Sequence, residues 1–248
     1  MRGPPLSSTA RPAMPNKAFL AGTSGPLDPR LSAARADLAD AALIGRVQAS
    51  RFVEPIAHSC TAPYLAMFFE PDGEQCSELL KGEHFMVLDV SGGWAWGWSA
   101  HDHYVGYVAA KSLTLATSDP AATVLSDPIA FARTFIGTPY VWGGRGGAGI
   151  DCSGLIQRSM DLRGVLAQRD SDMQRATLGD FLTEDAPLQR GDIVFFPGHV
   201  GMMTDTETLI HATRYHGKTV EEPLSEVVAR VAAKQSGTSI LARKRIVQ

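Results

Sequence analysis

The stretch TPYVWGGRGGAGIDCSGL, residues 138–155, decides how this chain is read. Its glycines make an irregular loop, and the run from Cys152 to Leu162 then places Leu155, Ile156 and Met160 at helical spacing. A cysteine therefore stands at the start of a predicted helix. Unpaired N–H groups and the positive dipole end at such a start lower a thiol's pKa and can hold a developing oxyanion. Position alone leaves a second reading equally open, in which Cys152 is a small, inert, buried side chain.

Downstream, a polar stretch QRDSDMQRA (residues 168–176) leads to three predicted strands: DIVFF from Asp192, HVGMMTD from His199 and TLIHAT from Thr208. A helix ahead of a strand meander means an α+β domain. His199 begins one strand and His211 lies inside the next, and antiparallel neighbours at this separation can place both side chains on one face. His199 could then take the Cys152 proton while His211 fixes its tautomer. Taken singly, His199 also fits a turn after Pro197-Gly198, and His211 a core histidine.

Upstream, Asp127 or Ser126 caps a helix with Pro128 in its first turn, Ile129, Ala132, Phe135 and Ile136 on one face, and Gly137 closing it. Residues 116–126 read as a linker between this domain, 127–248, and a preceding one. From 47 to 115 short β-like runs alternate with PDGEQ, SGG and HDH turns, the pattern of a small, strongly bent barrel. Trp94, Trp96 and Trp98 alternate and are expected in its core, and His101-Asp102-His103 in a solvent-facing hairpin turn. LSAARADLADAAL, from Leu31, predicts a short helix within 31–46. Residues 1–30 are proline-dense and read as a flexible arm.

TPYVWGG, GxDCSGL, RGDIVFF followed by HVGM, and LIHA resemble, in order and spacing, the NlpC-type papain-like cysteine peptidases. Residues 47–115 resemble the SH3-like domains of bacterial wall enzymes. The resemblance implies Cys152 as nucleophile, His199 as base, His211 as orienting residue and Tyr140 as an active-site hydroxyl. It implies Asp151, Ser153 and Ser171 as pocket residues, Asp151 clamping the substrate's free amine. A carboxylate beside a thiol raises that thiol's pKa, so a clamp suits Asp151 better than an activator, and a helix cap suits it equally. Glu83 and Tyr104 are the candidates for a barrel contact to substrate. The implied reaction is hydrolysis of the γ-D-glutamyl–diamino acid bond in short murein peptides with a free N-terminal L-alanine, with no cofactor and no metal. Alternatives are an amidase or endopeptidase acting on polymeric wall, or an inert wall-peptide-binding module.

Composition bounds the partners. The 248 residues carry a net charge of −3, are 44% hydrophobic and contain no Lys/Arg run that could follow a phosphate backbone, so no nucleic-acid partner is expected. No apolar stretch is long enough for a signal-peptide core or a membrane span, which predicts a cytoplasmic protein free of the membrane. Three cysteines argue against a disulfide framework, so Cys60 and Cys76 read as small core groups. The Gly-rich loop lacks the Lys-Ser or Lys-Thr of a phosphate loop. The sequence does not fix the oligomeric state.

Overall fold

A computed structural model describes residues 27–117, 126–234 and 237–246. The expected arm therefore lies almost wholly outside the described residues, as does most of the expected linker. Two short strands, β1 (Ala39–Asp40) and β2 (Phe52–Val53), pair in parallel. Seven more follow: β3 (Ile56–Cys60), β4 (Tyr64–Phe68), β5 (Gln75–Leu80), β6 (His84–Ser91), β7 (Trp94–Ser99), β8 (Val105–Ala109) and β9 (Leu113–Leu115). They form one antiparallel sheet in the order β5-β4-β8-β7-β6-β3-β9, an SH3-like domain. Alternation sends Leu65, Met67, Phe85, Ala95 and Val108 into its interior.

On β7 that same alternation turns Trp96 and Trp98 the other way, which corrects their expected place in the barrel core. They are buried on the outer face, under Ala33 and Leu38 of an extended strap. The strap replaces the helix expected within 31–46, whose helical content is a single 3-10 turn at Ala41–Leu43 capped by Asp40. An isolated Ala-rich helix this short gains little in water, whereas the strap gains specific contacts. Asp40 accepts from the Trp98 indole at 2.8 Å, and Arg35 lies 4.3 Å over the Trp96 ring while bonding Asp89 at 2.7 Å.

The second domain begins with α1 (Pro128–Arg133), where Asp127 caps Ile129 N at 3.0 Å. Beyond the Gly-rich loop come α2 (Cys152–Asp161), α3 (Ser171–Thr177), β10 (Asp180–Phe181), β11 (Ile193–Phe196), β12 (His199–Met203), β13 (Thr208–Thr213), β14 (Lys218–Pro223), α4 (Leu224–Lys234) and β15 (Ala242–Arg245). Its strands form a second antiparallel sheet in the order β10-β15-β11-β12-β13-β14. Leu155, Ile156 and Met160 of α2 pack on Phe195, Met202 and Ile210, while Val194, Met203 and Leu209 face Val227 of α4. Each such side chain contributes roughly 1.5–3 kcal/mol on burial, so the helix bearing Cys152 is fixed to the sheet bearing both histidines.

Buried charge joins the domains. Arg145 is 1% exposed and donates to Glu83 at 2.6 Å, to Gln157 at 2.6 Å and to the Glu78 carbonyl at 2.9 Å. Gln157 in turn donates to Asp102 at 2.8 Å. The His101-Asp102-His103 turn is thus not solvent-facing as expected. It is the hairpin pressed against α2, with His101 3.2 Å from Asp161 and His103 stacked on Trp98. Removing one partner of a buried pair strands the other, at about 3–5 kcal/mol. Arg145→Ala is expected to lower the denaturant midpoint of the full chain by a corresponding amount, and an unchanged midpoint would contradict the joint.

Candidate active site

Cys152 is the first residue of α2, and the chain before it explains its placement. Asp151 caps the helix, accepting from Gly154 N at 2.7 Å and from Gly143 N at 2.8 Å, so one carboxylate holds both the helix start and the loop. Gly143 sits at φ +74°, and a Cβ there would lie 3.0 Å from the Cys76 carbonyl carbon, so only glycine lets the loop meet β5 so closely. Arg169, 1% exposed, grips both Asp151 oxygens at 3.0 and 2.7 Å, and also reaches Ser153 Oγ and Ser77 Oγ.

Cys152 opens onto a cavity of about 400 Å³ shared with Ser153, Tyr104, Asp170, Ser171 and Arg30. Tyr104 donates to Asp170 Oδ2 at 2.8 Å. Asp170 precedes α3 without capping it, because its side chain is turned to Tyr104 and Arg30. Arg30 also bonds Asp28 and Asp172, so three carboxylates gather around one guanidinium. Arg175 also lines the cavity, so its lining here sets Asp170 and Asp172 against Arg30 and Arg175.

His199 and His211 come together as their spacing implies. β12 and β13 pair with Met202 opposite Ile210, which sets the two histidines diagonally on one face. His199 Nε2 lies 2.7 Å from His211 Nδ1. Pro197-Gly198, with Gly198 at φ +64°, forms the two-residue turn that starts β12 at His199. Beyond His211 stands Glu222 of β14, its Oε1 2.7 Å from His211 Nε2, and Arg230 of α4 and His216 also bond it.

The electrostatics differ from the helix-start expectation. Burial, and next the Asp151 carboxylate, push the Cys152 thiol up to about 12, against N–H groups of Val200 and Ser153 and the Arg169 charge. Burial, and next His211, push His199 down to about 3. The helix start is outweighed because the thiol is 4% exposed. Both shifts favour the neutral forms, a thiol at Cys152 and an imidazole at His199. Burial also raises the Tyr140 hydroxyl, which remains a proton donor beside Cys152.

Two expected pocket roles are corrected. Asp151 is 3% exposed and its oxygens are taken by Arg169 and two backbone N–H groups, so it is a cap and not a free amine clamp. Glu83 is bonded to Arg145 and Leu80 N and is absent from the cavity lining. Tyr104, Ser153 and Ser171 do line it. The residues missed are Arg30, Arg169, Asp170 and Glu222. Arg169 and Asp170 lie in the quoted RDSD run and were visible as charges, whereas Arg30 fell in a segment read as an arm. Burial raises the Cys152 thiol, so the resting thiol is expected to be protonated and its alkylation by iodoacetamide, followed by peptide mass, to keep accelerating through pH 9. A rate plateau below pH 7 would contradict that protonation state.

Residues 137–235 match the NlpC/P60 family, and residues 69–113 match the bacterial dipeptidyl-peptidase Sh3 domain. Over 82 residues, 33% of this chain and 30% of the relative, the chain is 40% identical to dipeptidyl-peptidase 6 of Lysinibacillus sphaericus. It is 33% identical over 103 residues to a gamma-D-glutamyl-L-lysine dipeptidyl-peptidase of Bacillus cereus, covering 38% of this chain and 29% of that one. The matched stretches thus span less than a third of either relative. A solved NlpC/P60 family protein from Bacillus cereus superposes with a TM-score of 0.43 at 20% identity, over 78% of this chain and 64% of that one. This chain carries an NlpC/P60 family domain behind a bacterial dipeptidyl-peptidase Sh3 domain.

Proposed function

We propose that the chain is a cysteine peptidase that hydrolyses the γ-D-glutamyl–diamino acid bond of short murein peptides bearing a free N-terminal L-alanine. The observation that carries this reading is the His199–His211 pair, with Cys152 held against the backbone N–H of Val200, the residue after His199, and opening onto a cavity that Asp170 and Asp172 also line. Cys152 Sγ attacks the carbonyl carbon as its proton passes to His199, and the N–H groups at the start of α2 face the resulting oxyanion. His199 returns that proton to the leaving amine as the C–N bond breaks. Water then attacks the thioester, His199 takes its proton, and the thiol is restored.

The amine clamp moves from Asp151 to Asp170. Asp170 and Asp172 line the far end of the cavity, and Arg30 there is shared with Asp28 as well, so a carboxylate is available to an ammonium group. Ser171 and Tyr104 add hydroxyls there. A murein tripeptide is the proposed substrate, and the size of the cavity supports a short peptide over a polymer. The proposal extends to recycling of released wall peptides in the cytoplasm.

Incubation with L-Ala-γ-D-Glu-diaminopimelate is expected to release L-Ala-D-Glu, and Cys152→Ala to abolish release. Cleavage by Cys152→Ala at the parent rate would overturn the nucleophile. Asp170→Asn is expected to raise KM about tenfold or more, the loss of one charge-assisted bond, with kcat little changed. Burial raises the Asp170 pKa, so KM should climb as pH falls, starting above the range of an ordinary aspartate. An N-acetylated substrate cleaved as fast as the free amine would contradict the clamp.

A further inference from the structure

The His199–His211 contact is compatible with two arrangements of protons, and only one of them allows catalysis. If His211 carries its proton on Nδ1, that proton points at His199 Nε2, which must then accept. Neutral His199 would carry its own proton on Nδ1, the only nitrogen left to face the thiol, and could not act as a base. If His211 carries its proton on Nε2, its Nδ1 accepts from His199 Nε2–H, and His199 Nδ1 is left with a lone pair.

Glu222 decides between them. Its Oε1 lies 2.7 Å from His211 Nε2, and a carboxylate offers only acceptors. Leu209 pairs with Glu222 and His211 with Val220, so the glutamate reaches His211 diagonally from the neighbouring strand. It is 8% exposed and bonded by Arg230 from α4 and His216 from the β13–β14 turn. Burial opposes its charge, but Arg230, His211 and His216 hold the carboxyl below its ordinary range.

We propose that Glu222 is a positioning residue of the active site, holding His211 as the Nε2–H tautomer and thereby leaving His199 Nδ1 unprotonated toward Cys152. The inference rests on the reading of Cys152 and His199 as the reacting pair. The charged and titratable groups around it are His199 on β12, His211 on β13, His216 on the turn and Arg230 on α4. Arg230 offsets much of the glutamate's charge, so the main effect is placement of protons, with a smaller stabilisation of the imidazolium formed during attack.

The direct test is ¹⁵N NMR of the histidine rings in the full wild-type chain at neutral pH, which needs no variant and no turnover. His211 and His199 are both expected as Nε2–H tautomers, and His211 protonated on Nδ1 would overturn the proposal. Kinetics give a second reading. Glu222→Ala is expected to mix the His211 tautomers and to lower kcat at least tenfold, below the ~10⁴-fold cost of a trapped wrong tautomer in a hydrolase triad, with KM within about twofold. Glu222→Gln keeps an acceptor and is expected to recover most of kcat, with the acid limb of kcat/KM moved to lower pH, since Glu222 is what raises His199. Unchanged kcat in Glu222→Ala would overturn the positioning role. An active Cys152→Ala would instead overturn the catalytic reading and leave the tautomer result standing.

Discussion

The buried pair between Arg169 and Asp151 holds the rest of the site in place. Both side chains are almost wholly removed from water, and that cost is offset only because nearly every polar atom finds a partner. The guanidinium bridges both carboxylate oxygens, Ser153 and, across the domain boundary, Ser77. The carboxylate in turn carries Gly143 N and Gly154 N. One interaction therefore fixes the loop, the helix start beside Cys152 and the barrel against which they pack. It also offsets part of the Asp151 charge, which still pushes the Cys152 thiol up.

With that frame rigid, the chemistry depends on where protons sit. A buried thiol and a buried imidazole both resist charge, which disfavours a resting ion pair. On the proposed mechanism attack creates the imidazolium, and the groups beyond His199 then matter more than those beside the thiol. His211 and Glu222 extend from His199 through the sheet to α4, where Arg230 ends the chain. The far side of the cavity is organised by ion pairs, with Arg30 binding Asp170 and Asp172.

Much of this was legible in the sequence because it rests on local pattern. Cys152 at a helix start, His199 after a Pro-Gly turn and His211 inside the next strand follow from spacing alone. Tyr104 lines the cavity, on the barrel side of it. The misses share a physical cause, since each depends on which distant partner a side chain finds. Asp151 has the composition of a clamp and becomes a cap because Arg169 folds back onto it. Glu83 is claimed by Arg145, and the Ala-rich run after Leu31 leaves the helical state because exposed tryptophans need a cover. Glu222 sits between Glu221 and Pro223 with no motif to mark it, and only the pairing of β13 with β14 brings it to His211.

The central claim is that Cys152 forms a covalent acyl intermediate. Rapid acid quench of the enzyme during turnover of L-Ala-γ-D-Glu-diaminopimelate, followed by peptide mass analysis, tests it most directly. The account predicts the added mass of the L-Ala-γ-D-Glu acyl group on the peptide that contains Cys152, and on neither Cys60 nor Cys76. Turnover with no adduct on Cys152 at any quench time, under conditions where hydrolysis of the thioester is slowed, would contradict it.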